Sequence, residues 1–155
     1  MTLHWTASTL DELAPRSIHA IFKLRVDVFV VEQECAYPEV DDADLIALHL
    51  LGHVADGRLV AYARILPAGP DGMPHIGRVV VHPAFRDRRL GHTLMEQALE
   101  VLRSRTDSTR AALAAQEHLQ GFYSRHGFVA TSAVYDLDGI PHVDMERGTP
   151  SNAEG

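Results

Sequence analysis

The chain has 155 residues, of which 46% are apolar and 23% charged, and these values exclude a disordered protein. The length predicts a single domain, residues 1–147, with a loose C-terminal tail at 148–155. A formal net charge of −7 argues against nucleic acid as the main partner, because phosphate binding needs a basic surface. No apolar stretch approaches the roughly 20 residues of a membrane span, and a single cysteine favours a reducing compartment. We therefore expect a cytoplasmic protein that binds neither nucleic acid nor membrane.

The first half of the chain predicts one helix followed by a β-hairpin. A short strand is expected at 3–6, and Pro15 suits the first turn of a helix that ends in the segment 29–33. An acidic loop at 34–46 follows. The predicted hairpin strands are 49–55 and 58–66, with Asp56-Gly57 as the turn.

The second half predicts a β-α-β unit. Its strand at 76–81, helix at 90–105 and strand at 111–115 should form a right-handed crossover between parallel strands. A further helix over 119–126 should stop at Gly127. The last predicted strands are 128–135 and 142–147. Together these elements predict an α/β fold with a mixed, mostly antiparallel sheet, one parallel pair, and helices on both faces.

Charge is distributed unevenly along the chain. Between Val26 and Gly57 there is no Lys or Arg, and this acidic stretch holds eight carboxylates: Asp27, Glu32, Glu34, Glu39, Asp41, Asp42, Asp44 and Asp56. Four arginines lie close together further on: Arg78, Arg86, Arg88 and Arg89. This asymmetry indicates either two unlike ligands or two solvated loops.

The segment with the most chemical information is GRVVVHPAFRDRRLGHTLMEQAL, residues 77–99. A strand runs into an arginine-rich loop, and a helix follows at once. Helix N-termini present unpaired N–H groups and partial positive charge, so the segment suits an anion such as a pyrophosphate. It lacks both the G-x-x-x-x-G-K-[ST] spacing of a P-loop and the G-x-G-x-x-G spacing of a dinucleotide fold.

This segment resembles the acyl-CoA-binding motif of the GNAT acyltransferases, in which a strand precedes R-x-x-G-x-G/A and a helix. The motif falls here on residues 86–91. The segment 113–128, LAAQEHLQGFYSRHGF, is similar to the later strand and helix of that family. FVVEQECAYPEVD at 29–41 and VYDLDGIPH at 134–142 resemble the ElaA-like branch. The resemblance covers most of residues 18–147 and implies a single-domain GNAT-like fold.

The resemblance also implies which residues bind acetyl-CoA. The implied positions are Val79, Val80, Val81, Arg86, Arg88, Arg89, Leu90, Gly91 and Gln116. Two of them depart from the family pattern. Arg89 replaces the first glycine of the motif, so its side chain should point outward, and Gln116 stands where the family usually has Asn.

The resemblance assigns Tyr123 the role of general acid, which protonates the departing CoA thiolate. The alternative is a tyrosine that merely packs in the core. For the general base, Glu32 is the first choice, with His82 and His142 as alternatives. Cys35 is interpreted as a loop thiol near the site rather than a nucleophile. No H-E-x-x-H motif or Cys pair is present, so no metal is expected.

The predicted activity is N-acetyl transfer from acetyl-CoA to a primary amine by direct attack in a ternary complex. Small amines, polyamines and protein or peptide amines all fit as acceptors, and the acidic stretch favours a cationic one. The alternative is a non-catalytic acyl-CoA-binding sensor or interaction module on the same fold. A homodimer is left open by the sequence.

Overall fold

The computed structural model describes residues 2–148, except for the side chain of Asp87. The predicted tail therefore lies outside the described residues, apart from Gly148. Within these described residues, eight strands form one sheet: His4–Thr9 (β1), Leu48–His53 (β2), Leu59–Leu66 (β3), His75–Val81 (β4), Ala111–Gln116 (β5), Val129–Ala130 (β6), Tyr135–Leu137 (β7) and Ile140–Arg147 (β8). The same part of the chain contains three α-helices: Pro15–Arg25 (α1), Leu90–Val101 (α2) and Gln120–Ser124 (α3).

The strand order is β1-β2-β3-β4-β5-β8-β6, with β7 also paired to β8. β4 and β5 are parallel, and the other strand pairs are antiparallel. This confirms the predicted mixed sheet with one parallel β-α-β crossover.

The helices cover both faces of the sheet, as predicted. Ile21 and Leu24 of α1 pack with Leu51 and Tyr62 on one face. Leu94 of α2 and Tyr123 of α3 belong to the larger apolar core on the other face. Alternate residues of a strand point to opposite faces, so neighbouring residues such as Leu50 and Leu51 of β2 serve different cores.

The first helix extends beyond α1. Wider π-helical turns carry it through Val26–Glu32, and Gln33 ends it. Pro15 occupies its first turn, where no N–H is needed for the helix. Similar turns extend α2 through Leu102–Thr106. No helix in the described part of the chain is both long and apolar enough to cross a membrane.

The single strand predicted at 128–135 is wrong. The structure has two short strands there, Val129–Ala130 and Tyr135–Leu137. Between them, the Ser132 hydroxyl accepts the backbone N–H of Asp144 at 2.9 Å. A side chain thus takes the place of a backbone partner in the sheet, and the strand is interrupted.

Candidate active site

A cleft of about 780 Å³ opens between β4 and β5. Among residues 2–148, His75 and Ala112 form the one parallel pair between the two strands, after which they diverge. The edge of β4 that faces β5 thus has no strand partner beyond this pair. The volume suits a small-molecule site. Eight predicted site residues line the cleft: Glu32, Val79, Val80, Val81, Arg86, Gln116, Tyr123 and His142.

Tyr123 reaches the cleft from α3. Its side chain is buried, and its ring makes edge-on contacts with Phe122 and Phe128, with ring centroids 5.0 and 6.2 Å away. No group among the described residues hydrogen-bonds the hydroxyl, and burial raises the pKa of this phenol well above its usual value. Tyr123 is therefore a neutral O–H donor at the wall of the cleft, with no acceptor within residues 2–148.

Glu32 and Arg86 form a bidentate ion pair at the cleft. The Arg86 Nη1 and Nη2 atoms lie 2.6 and 2.7 Å from the two carboxylate oxygens of Glu32. The hydrogen bond from Arg86 lowers the pKa of Glu32. A carboxylate held in this way is a weak proton acceptor, and this weighs against Glu32 as the general base.

The two other candidate bases have different surroundings. His142 lies opposite Gln116 in the β5–β8 pair and lines the cleft. Its Nδ1–H donates to the Ile140 carbonyl at 2.7 Å, so the neutral ring carries its lone pair on Nε2. His82, in contrast, accepts the Ala84 N–H at 3.1 Å and caps the short helix at Pro83–Arg88. His82 is not among the residues that line the cleft.

The predicted pyrophosphate loop joins β4 to α2. Arg89 is exposed and adopts a left-handed backbone conformation, with φ 56° and ψ 21°. This is the conformation that a glycine would adopt without strain, so the departure from the motif keeps the backbone shape and changes the side chain. The Arg88 guanidinium lies over the Phe85 ring, 5.1 Å from its centroid.

Leu90 and Gly91 pack the start of α2 against the rest of the fold. Leu90 is buried in the larger core. A Cβ added at Gly91 would lie only 3.3 Å from the Phe122 ring, so the glycine allows the close approach of α2 to α3. Because α3 also carries Tyr123, this contact couples the predicted CoA loop to the candidate acid.

Gln116 bridges the cleft to the end of the first helix. Its amide nitrogen donates to Gln33 Oε1 at 3.3 Å. Cys35, two residues further on, is buried, lines the cleft and donates from Sγ to the Asp138 carbonyl at 3.3 Å. These contacts join the loop after the first helix to β5 and to the β7–β8 turn.

An ion-pair network anchors the acidic loop to the sheet. Arg25 is fully buried and donates to Glu39 at 2.6 Å and to Asp44 at 2.7 Å. Arg64 of β3 donates to Asp41 and Asp44, at 2.7 and 3.0 Å. Arg78 of β4 donates to Glu39 at 2.7 Å. Three arginines and three carboxylates thus balance in charge.

Ion pairs inside and outside the network change the interpretation of the acidic stretch. Six of its eight carboxylates are ion-paired with a Lys or Arg: Asp27, Glu32, Glu39, Asp41, Asp44 and Asp56. Paired carboxylates attract cations less strongly, so the stretch supports a cationic acceptor less than its charge count suggests, and that acceptor stays a prediction. The expected arginine cluster also divides, since Arg78 belongs to the network and Arg86 to the pair with Glu32.

Part of the cleft wall was not predicted from the sequence. Four of its residues are Gln33, Tyr37, Arg64 and Arg78, and of these only Arg78 belonged to a predicted feature, the arginine cluster. An arginine inside an otherwise apolar strand, as at Arg64 in β3, was the available signal, because buried charges need partners. No group of three His, Cys, Asp or Glu side chains in residues 2–148 is arranged to hold a metal ion.

Comparison with known proteins agrees with this geometry. The family model described as an acetyltransferase (GNAT) domain matches residues 25–148. The ElaA protein of Escherichia coli is 42% identical over 94% of this chain and 96% of its own. A UPF0039 protein of Schizosaccharomyces pombe is 44% identical over 92% of this chain and 95% of its own.

Solved structures show the same similarity. An acyl-CoA N-acyltransferase from Pseudomonas aeruginosa, 45% identical, has a TM-score of 0.89 and covers 95% of this chain and 100% of its own. The crystal structure of E. coli ElaA, 40% identical, has a TM-score of 0.87 with the same coverage. The chain belongs to the GNAT family of acetyltransferases, in its ElaA-like branch, and is an acyltransferase.

Proposed function

We propose that this acyltransferase moves the acetyl group of acetyl-CoA to a primary amine by direct attack within a ternary complex in the β4–β5 cleft. The observation that carries the proposal is the buried, neutral Tyr123 hydroxyl beside an unpaired strand edge. The alternative, a non-catalytic acyl-CoA-binding module, gives this hydroxyl no purpose.

The residues present fit acetyl-CoA as the donor substrate. The divergence of β4 from β5 leaves backbone groups along 79–81 for an extended, amide-containing arm. The loop at 86–91 offers arginine side chains and the N-terminus of the 12-residue helix α2 for a pyrophosphate. Leu90 and Gly91 contribute to the CoA site through packing rather than through contact with the ligand. The residues that we assign to the site are Val79, Val80, Val81, Arg86, Arg88, Arg89, Leu90, Gly91 and Gln116.

In the proposed step, the amine nitrogen attacks the thioester carbonyl carbon, and the carbon–sulfur bond breaks. Tyr123 gives its proton to the departing thiolate. The proton lost by the amine goes to a base, for which His142 Nε2 is the better candidate, because Arg86 already holds the Glu32 carboxylate. The acetylated amide and the free CoA thiol are the products.

Three expectations from the sequence stay predictions. They are that the protein binds no metal, that it is cytoplasmic, and that it can form a homodimer.

The test is acetyl-CoA turnover with a panel of primary amines. Release of free thiol should depend on the acceptor, and mass spectrometry should detect the acetylated amine. Acetyl-CoA binding without amine-dependent thiol release would instead support the non-catalytic binding module. A longer acyl-CoA that turns over faster than acetyl-CoA would overturn the assignment of the donor.

A further inference from the structure

Apart from the Glu32–Arg86 pair, the charged groups of the described chain that line the cleft are two arginines and one carboxylate, that of Asp138 in the β7–β8 turn. Arg64 and Arg78 of the ion-pair network line the cleft. Their partners Glu39, Asp41 and Asp44 are absent from the cleft-lining part of the described chain. The network therefore directs its arginines towards the cleft and keeps its carboxylates behind them.

The same two arginines retain unused donors. Arg64 has a side chain only 7% exposed, and its Nε–H is buried without an acceptor among the described residues. Arg78 uses Nε and Nη2 on Glu39 and Asp41, so within residues 2–148 its Nη1 has no acceptor. An unpaired buried N–H lowers the stability of the fold, and an anionic ligand oxygen would compensate for it.

Local backbone geometry holds Arg78 in this position. Arg64 pairs with Gly77 and Tyr62 with Val80, so two residues of β4, Arg78 and Val79, face one residue of β3. This β-bulge puts Arg78 in a left-handed conformation with φ 51°. A bulge re-aims side chains at a strand edge. Here it sets Arg78 directly before the strand segment 79–81.

The length of β4 separates this point from the CoA loop. At about 3.3 Å per residue, Arg78 lies roughly 10 Å along the strand from Val81, where the loop towards Arg86 begins. An acyl-CoA whose pyrophosphate lies over 86–91 and whose arm follows 79–81 would carry its acetyl group towards Arg78. The acceptor must then approach on the Arg78 side.

Building on the proposed acetyl transfer, we infer that the acceptor carries a carboxylate as well as its amine, and that Arg78 and Arg64 bind this carboxylate. The chemical class is that of amino acids and short peptides with a free carboxyl end. A polycationic amine, in contrast, would meet two guanidinium groups whose carboxylates are already engaged. The inference thus reverses the charge preference expected from the sequence.

Two matched pairs of acceptors test this directly: glycylglycine with glycylglycinamide, and β-alanine with β-alaninamide. The two members of each pair differ only in that one carries a carboxylate and the other a carboxamide. Their acetylation rates are compared at equal concentrations of unprotonated amine. We expect kcat/KM to be at least about tenfold higher for the carboxylates, as for a lost charge-assisted hydrogen bond. Equal rates, or faster acetylation of the amides, would overturn the inference while leaving acetyl transfer itself intact.

Arg78→Gln should remove most of this preference by raising KM for the carboxylates, and change the amide rates less than about threefold. Arg78→Lys, which keeps the charge, should retain part of it. Arg103→Gln removes an exposed arginine paired with Glu100 outside the cleft, and is the control expected to behave as the wild type. A loss that is equal for carboxylates and amides in Arg78→Gln would contradict the assigned role.

A binding measurement covers the case in which no amine is acetylated and the proposed function itself fails. With saturating CoA, glycylglycine should raise the Tm of the wild-type protein, because ligands of the folded state stabilise it. Glycylglycinamide should raise it less, and Arg78→Gln should abolish the difference. Equal shifts for the two compounds would refute the carboxylate subsite.

Discussion

Arg86 and Glu32, which both line the cleft, hold each other through two hydrogen bonds of 2.6 and 2.7 Å. Arg86 is also the first residue of the proposed pyrophosphate loop, so CoA binding and the pair with Glu32 compete for one guanidinium. The side chains are 41% and 44% exposed, and exposed ion pairs contribute little stability. Exchange of partners is therefore easy.

Because of this competition, removing the Glu32 carboxylate and removing the Arg86 guanidinium should change the affinity for acetyl-CoA in opposite directions. Glu32→Gln should tighten acetyl-CoA binding, by up to about fivefold, because Arg86 no longer has to leave a carboxylate. Arg86→Gln should weaken it by about tenfold or more, because a charge-assisted hydrogen bond is lost. Titration calorimetry measures both. Unchanged affinity in Arg86→Gln would place the pyrophosphate elsewhere.

Substitutions at His142 and at Glu32 distinguish the two candidate bases by their effect on kcat. His142→Gln should lower kcat by about a hundredfold or more, because general bases typically contribute that much. Glu32→Gln, with its carboxylate already committed to Arg86, should leave kcat within about threefold. Steady-state rates at saturating substrates measure this. The reverse order of the two effects would restore Glu32 as the base.

The left-handed backbone at Arg89 predicts an unusual order of stabilities. Arg89→Gly should be more stable than Arg89→Ala by about 1 kcal/mol, because only glycine adopts φ 56° without steric cost. At Arg88, which lies in a short helix, the order should reverse, with alanine more stable. Urea unfolding of the four variants gives the comparison. Alanine favoured at both positions would argue against the left-handed conformation.

The ion-pair network predicts a loss of stability in acid. Burial alone would raise the pKa of Asp44, but the hydrogen bond and charge of Arg25 outweigh it, and the pKa is lowered. The hydrogen bond from Arg64 lowers the pKa of Asp41. Groups with a lowered folded-state pKa stabilise the protein above their unfolded value of about 4, and this contribution disappears as the pH falls through the folded-state values.

Asp44→Asn tests that origin. At pH 7 it should destabilise the fold by about 3–5 kcal/mol, because Arg25 and Arg64 each lose one of two carboxylate partners and the network keeps one uncompensated buried positive charge. The remaining stability should then depend less on pH in acid than that of the wild type. Asp56→Asn, in an exposed pair with Arg58, is the control and should leave the urea midpoint almost unchanged. An acid dependence of Asp44→Asn as steep as that of the wild type would contradict the account.

Local sequence determined most of the fold. Apolar periodicity and punctuation by Pro15, Gly57 and Gly127 predicted the elements, and the β4-α2-β5 order predicted the parallel pair. The break at 131–134 was missed, because it depends on one hydrogen bond between Ser132 and the distant Asp144. Strand propensity carries no information about such a partner.

The candidate site was predictable where a motif is contiguous and not where it is assembled by folding. The loop at 86–91 and Tyr123 lie in continuous segments. The network joins Arg25, Glu39 and Arg78, which are up to 53 positions apart in the sequence. Charge counts along the chain suggested an open acidic surface there, because they cannot show which carboxylates will be paired.

The measurement that tests the central claim most directly is the turnover number of Tyr123→Phe. Burial keeps the Tyr123 hydroxyl protonated by raising its pKa, and this proton is needed only when the thiolate departs. The variant should lose about 10²- to 10⁴-fold in kcat and keep its affinity for acetyl-CoA, while Tyr135→Phe, whose hydroxyl donates to Asp144, should keep both. Wild-type kcat in Tyr123→Phe, at a pH where chemistry limits the rate, would contradict acid catalysis by this residue.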